Sequence, residues 1–286
     1  GTKDKKILSR YVQASGEAKS LSTFEKEDQK IKIQMDEIYS LEYLSKLLPH
    51  FKFYNDKEIS TLTLKLYKGG LATAGKLNGR FVFPIFDEND PSQIGFTGRH
   101  LRWKSESEFP KWKHVGRKSN WLYPLCISDS TGAKPFLECV EDRREVIIVE
   151  SIGDSLALTE NSFLNHLVVG GLDLSSKQLS FLLSQELDQI IIGTNNDKSK
   201  AGLHAAIKIF VKLLNYFDIT KLRINLPTSN DFGDMQQEGV NFKEKWYEKP
   251  LDKEKQISKI YSILKSTEGM NIIKNKTERK KKINFL

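Results

Sequence analysis

The sequence predicts an α/β protein, a parallel sheet flanked by helices and preceded by a basic α+β subdomain. From Glu145 onward, short apolar runs alternate with helix-like segments, and strands alternating with helices imply right-handed crossovers and a parallel sheet. Upstream, residues 59 to 125 mix short β-like runs (FVFPIF, QIGFTG) with glycines, cations and aromatics, the pattern of a compact α+β unit. Acidic residues follow three of the four predicted strands, at the edge where open parallel sheets bind ligands.

Taken in order, residues 1–34 are rich in Lys, Glu, Ser and Gln and are read as a leader that does not nucleate a core. Ile38, Leu41, Leu44 and Leu48 fall at helical spacing and predict a helix from Met35 that stops at Pro49. In the second half, EVIIVE, HLVVGG, DQIIIG and KLRINLP are the four strands. DSLALTEN, SSKQLSFLLSQEL and AGLHAAIKIFVKLLNYF are the helices between them. The third helix shows its buried face in Leu203, Ala206, Ile207, Phe210, Leu213, Leu214 and Phe217. Beyond Asp234 the pattern is helical and ends in a basic tail, KNKTERKKKINFL, expected to be solvated.

Composition narrows the class. The 286 residues carry 45 Lys plus Arg against 37 Asp plus Glu, a formal +8, which favours a polyanionic partner. The two cysteines, Cys126 and Cys139, form neither a disulfide framework nor a zinc site, so a reducing, cytoplasmic setting is expected. No apolar run reaches a membrane span and GTKDKK lacks the apolar centre of a signal peptide. Gly1 in place of Met suggests a piece of something longer.

Glu150 follows the first strand with Asp154 four residues on, Asn195, Asn196 and Asp197 follow the third, and Asp231 and Asp234 follow the fourth. Carboxylates converging from separate segments repel one another unless cations neutralise them, and an oxygen-only donor set suits a hard ion such as Mg²⁺ or Mn²⁺ rather than zinc. Each acid alone is as well explained as a helix cap.

The series VIIVESIGDSLAL, VVGG and GTNNDKSKAGLHAA, followed by LPTSNDFGDM, resembles the TOPRIM domain shared by DnaG-type primases, type IA and II topoisomerases and some nucleases. Upstream, GRFVFPIFDENDPSQIGFTGRHL (79 to 101), PKW (110 to 112) and WLYPL (121 to 125) are similar to the ordered motifs of DnaG-type primases. The resemblance covers roughly residues 55 to 240 and implies the TOPRIM-type RNA-polymerase core of a primase, in a phage or mobile-element version. It implies catalytic roles for Glu150, Asp154 and Asp197. The metal ligands would be Glu150, Asp154, Asn195, Asp197, Asp231 and Asp234, holding Mg²⁺ or Mn²⁺, with no zinc in this chain. Single-stranded DNA would be the template and nucleoside triphosphates the substrates, with a replicative helicase as a candidate partner and no membrane. The implied division is a leader (1–34), a template-binding α+β subdomain (35–143), a TOPRIM catalytic domain (144–235) and a C-terminal helical segment with its tail (236–286).

Between Arg80 and Lys118 cations alternate with Phe96, Trp103, Trp112 and Trp121, a composition suited to phosphate contact and base stacking, although the tryptophans read as core. Arg80, Arg99, Arg102, Lys111, Lys113, Arg117 and Lys118 are the expected nucleic-acid contacts, with Arg80, Arg99 and Lys111 at motif positions. The sequence departs from the family in two places. Asn195 stands where the first aspartate of DxD is found, and the following turn is longer, placing Lys198 and Lys200 beside the nucleotide phosphates or merely lengthening a loop. The other readings are a TOPRIM nuclease and a non-catalytic single-stranded-DNA-binding module. A DnaG zinc module and helicase-binding region are not expected here, so initiation would depend on a further part or a partner.

Overall fold

The computed structural model describes residues 42–88 and 92–286. The leader and the first part of the helix expected from Met35 lie outside the described residues. Within them, that helix is α1 (Glu42–Ser45), which stops before Pro49 because Leu48 exchanges backbone hydrogen bonds with Leu71 (2.9 and 2.8 Å). Two short helices follow, α2 (Lys52–Asn55) and α3 (Thr61–Leu66), the latter capped by the Ser60 hydroxyl, which accepts from the Thr63 N–H.

The first sheet is an antiparallel meander, β1 (Gly70–Ala72), β2 (Arg80–Phe86), β3 (Gln93–His100) and β4 (Trp112–Gly116), paired in that order. Pro84 is tolerated within β2 because the pairing with β1 ends at Val82, so beyond it one side of the strand has no ladder to interrupt. Gly95 of β3 is required by close packing: a Cβ there would lie 2.6 Å from the Val115 carbonyl oxygen and 2.9 Å from the Trp121 ring. β4 was not legible as a strand because its side chains are half-buried or exposed.

α4 (Pro135–Arg143) leads into the second sheet: β5 (Glu145–Val149), α5 (Ile152–Glu160), β6 (His166–Val168), α6 (Ser176–Ser184), β7 (Gln189–Gly193), α7 (Ala201–Leu213), β8 (Leu222–Ile224) and α8 (Phe232–Gln237). Its strands are all parallel, in the order β6-β5-β7-β8. The chain therefore winds one way from β5 to β6 and the other way from β7 to β8, so the crevice outside the ends of β5 and β7 is a topological switch point. The buried runs of β5 and β7 are continuous apolar stretches, as a sheet covered on both faces demands.

After α8 a π-helical turn (Lys243–Tyr247) buries Trp246, whose indole N–H donates to the Asn225 carbonyl at 2.9 Å. Then come α9 (Lys253–Lys265), α10 (Glu268–Ile272) and α11 (Lys276–Phe285). The basic tail is thus a docked helix and not a solvated strand of chain. Lys282 is 8% exposed and its ammonium donates to the Asn215 side chain, while Ile283 and Leu286 pack on the core. Among the described residues no helix is long and apolar enough to cross a membrane.

Candidate functional site

The carboxyl edge of the parallel sheet faces β3, β4 and the segment after it across a cleft of about 320 Å³. Glu150 and Asn195 enter it from the ends of β5 and β7, and Asp231 enters from the start of α8. Thr97, Lys111, Trp112, His114, Lys118 and Trp121 line the opposite side. A smaller cavity of about 170 Å³ shares Lys111, Trp112 and Asp231 and adds Lys57, Arg99 and Asp234.

Most of the acids expected as ligands also hold the turns in which they sit. Ser151 is the N-cap of α5 and accepts from the Asp154 N–H, while the Asp154 carboxylate accepts from the Ser151 N–H at 3.0 Å and hydroxyl at 2.8 Å. Its other oxygen accepts from the Phe232 N–H at 3.1 Å, which ties α5 to the start of α8. Burial, then the charge of Asp231, pushes the Asp154 carboxyl up to about 7. At 1% exposure, Asp154 does not line the cleft.

Asp197 is placed in the same way. It accepts from the Ser199 hydroxyl, from the Gly202 N–H at 2.7 Å and from the Ala201 N–H at 3.2 Å, and these bonds hold its carboxyl below the usual range. It closes the turn into α7 and lines neither cavity. Asn196 fastens that turn to the next loop, donating from its backbone to the Asn230 carbonyl (2.8 Å) and from its side chain to Pro227 (3.0 Å).

Asp231 is the N-cap of α8, accepting from the Asp234 N–H at 2.7 Å through one oxygen. Its carboxyl is raised by burial and by the charge of Asp234, and Glu150 is raised by burial and by the charges of Asp197 and Asp231. Among the described residues no three His, Cys, Asp or Glu side chains are gathered closely enough to hold a metal as they stand. The donor chemistry nevertheless fits a hard cation at one place. Glu150, Asp231 and the Asn195 amide line one cleft, and the two carboxylates there resist ionisation in a way that a bound cation would relieve.

The expected cations divide three ways. Lys111 lines both cavities, its ammonium 5.4 Å from the centre of the Trp103 ring, and Lys118 lines the cleft beside the Gly170 turn. Arg99 lies over the Phe53 ring at 4.5 Å, with one guanidinium nitrogen buried and lacking a hydrogen-bond partner. Arg80, expected to contact nucleic acid, is instead 4% exposed and donates to the carbonyls of Gly98 (3.1 Å), Lys111 (3.2 Å) and Pro110 (2.9 Å). It uses its charge to pin the 101–111 loop against β3. Arg102, Lys113 and Arg117 line neither cavity. Lys200 pairs with Glu268 at 3.1 Å, away from the cleft, and Lys198 is exposed outside it, so the nucleotide contact expected of these two is not where the structure places them.

Lys57 was missed because a lone lysine in a polar turn carries no pattern, yet it lines the smaller cavity with Arg99 and Lys111. His114 faces the cleft, bonded through Nδ1 to the Thr97 hydroxyl at 2.9 Å. Burial, then the charges of Lys118 and Arg80, lowers it to about 4, so it is neutral at neutral pH. Cys126 is inert, its thiol pushed up to about 12 by burial.

The molecule thus sets a parallel sheet, with acids at its switch point, against an antiparallel meander whose Lys111 lines the same cleft. Residues 147–236 match the protein family described as Toprim-like. No curated protein sequence matches the chain. Among solved structures, the RNA polymerase domain of Mycobacterium tuberculosis primase DnaG superposes with a TM-score of 0.56 at 13% identity, over 84% of this chain and 92% of that one. The E. coli primase catalytic core gives 0.52 at 18% identity, over 66% and 69%. A DnaG primase catalytic domain bound to single-stranded DNA gives 0.52 at 16% identity, over 82% and 89%. The likeness at these identities is one of fold: a Toprim domain within the architecture of a DnaG catalytic core.

Proposed function

We propose that this chain is the catalytic core of a DnaG-type primase, which makes short RNA primers on single-stranded DNA by metal-dependent nucleotidyl transfer from nucleoside triphosphates. The observation that carries the reading is the meeting of Glu150, Asn195 and Asp231 with Lys111 and Lys118 in one cleft at the switch point. Glu150, Asp231, the Asn195 amide oxygen and Asp234 would hold Mg²⁺ or Mn²⁺. The ion, when bound, activates the primer 3′ hydroxyl and stabilises the leaving pyrophosphate. Asn195 can donate an oxygen but no charge, so affinity for the ion rests on the carboxylates.

Asp154 and Asp197 act through position: one fixes α5 against α8, the other fixes the turn that carries Asn195. Lys111 and Lys118 would orient the triphosphate, and Lys57 and Arg99 would take template phosphates, with Trp112 offering a face for a base. A replicative helicase would deliver the template.

The test is nucleotide incorporation on single-stranded DNA carrying a preannealed primer, with Mg²⁺ or Mn²⁺. Asp231→Asn is expected to lower incorporation by roughly 100-fold or more while DNA binding persists. Asn195→Asp is expected to tighten Mg²⁺ binding, read by calorimetry. Asn195 also motivates a second reading, a non-catalytic DNA-binding module; wild-type protein that binds DNA but never incorporates nucleotide would establish it.

A further inference from the structure

Most of the net positive charge of the chain lies outside the segments that line the cleft. Residues 253–286 carry ten Lys and Arg against three Glu, which is +7 of the formal +8, so the rest of the chain is nearly neutral. The structure gathers this charge on α9 and α11, which pack together, and leaves Lys255, Lys259, Lys274, Lys276, Lys280 and Lys281 exposed.

These cations are held in place. A ten-residue helix is marginal by itself, and α11 is fixed by the Lys282–Asn215 bond, by Ile283 and Leu286 on the core, and by Asn275, whose side chain accepts from the N–H groups of Thr277 and Glu278. Lys276 and Lys280 are one turn apart on the outer face, a like-charged pair that disfavours the helix unless counter-charge covers it. Neither they nor Lys281 form an ion pair among the described residues.

We infer that α9 and α11 form a second, sequence-independent binding surface for the phosphodiester backbone of double-stranded nucleic acid, separate from the cleft. Duplex is favoured over single strand on two grounds. It presents about one charge per 1.7 Å of its axis against about one per 3.4 Å on each strand, and it needs no stacking platform. The side chains described on the outer face of α11 are Lys276, Thr277, Glu278, Lys280, Lys281 and Asn284, none of them aromatic. The inference goes beyond the primase reading and rests on it only for the source of the duplex, the primer–template hybrid.

The experiment compares a 30-base-pair duplex with a single strand of equal length by fluorescence anisotropy across a salt series, in the 286-residue chain without nucleotide. The variant Lys276→Gln/Lys280→Gln/Lys281→Gln is expected to keep its melting temperature and lose roughly tenfold in duplex affinity at low salt. The slope of log K against log salt should shrink by nearly 3, about 0.9 per lost contact. Lys111→Ala, in the cleft, should leave that slope within about one contact of wild type. Unchanged duplex affinity and slope in the triple variant would overturn the inference, as would an equal loss for the single strand. So would binding to phosphatidylserine vesicles that the triple variant loses while duplex binding stays intact. Incorporation by the wild type is scored separately, so a failed primase reading and a failed second surface give different results.

Discussion

His166 and Asp154 are buried titrating groups whose pKa values burial moves in opposite directions. The carbonyl of Phe163 only accepts, so His166 Nδ1 carries the proton (2.8 Å). Nε2 accepts from the Ser155 hydroxyl (2.7 Å), and the Tyr67 hydroxyl oxygen lies 3.2 Å away. Burial lowers this imidazole to about 4, whereas burial and the Asp231 charge raise the Asp154 carboxyl to about 7. For His166 the unfolded chain binds the extra proton between about pH 4 and 6.5, so stability present above that window is lost as pH falls through it. For Asp154 the folded protein binds the extra proton between about pH 4 and 7, so stability present below that window is lost as pH rises through it. In metal-free buffer the two slopes oppose each other. Removing one should expose the other: relative to wild type, His166→Gln should make stability fall with rising pH, and Asp154→Asn should make it rise. Each change approaches 1.4 kcal/mol per pH unit, measured by urea unfolding across pH 4 to 7.

At the scale of elements, the turn from β7 into α7 is set by close packing as much as by its polar residues. A Cβ on Gly202 would lie 2.0 Å from the Asn195 carbonyl oxygen, so the helix can start where it does only with glycine there. Gly202→Ala should therefore destabilise the protein by about 3 kcal/mol in denaturant unfolding. It should also displace Asn195 from the cleft. Gly153→Ala in α5, whose Cβ would meet only the Ser151 hydroxyl at 3.4 Å, should stay within about 1 kcal/mol of wild type. The alternation of apolar runs and amphipathic helices made these elements legible in the sequence, and the acids after the strands pointed to the edge where Glu150, Asn195 and Asp231 line the cleft. What Asp154 and Asp197 do at that edge was not legible, because a cap and a ligand have the same one-letter code. Arg80 was misread for a similar reason: its motif position says that it matters, and only three carbonyls converging on its guanidinium say why.

At the scale of the whole molecule, a single hydrophobic cluster runs from Phe81, Phe83 and Ile85 of the meander to Val146 through Val149 of the parallel sheet. The change of rhythm at Glu145 suggested a boundary there, since periodicity reports local structure and is silent about which faces share a core. Polar ties cross the same line. The Tyr67 hydroxyl lies 2.7 Å from Ser155 Oγ and 2.8 Å from Thr159 Oγ1, and the Ser60 hydroxyl donates to Glu160 at 2.8 Å. Further along, the Gln236 amide donates to the Glu58 carbonyl at 2.8 Å. A fragment beginning at residue 144 would expose the face of the parallel sheet that Tyr67 and Phe136 cover and would take the Tyr67 hydroxyl away from Ser155 and Thr159. Newly exposed apolar area and lost buried hydrogen bonds are both destabilising compared with the marginal stability of a domain. Residues 144–286 expressed alone should therefore show no cooperative thermal transition by circular dichroism and no slow amide exchange in β5 and β7, while the full chain melts in one step. A fragment that melts cooperatively would mean that the parallel sheet is an autonomous unit and that the shared core is an interface between two folded bodies.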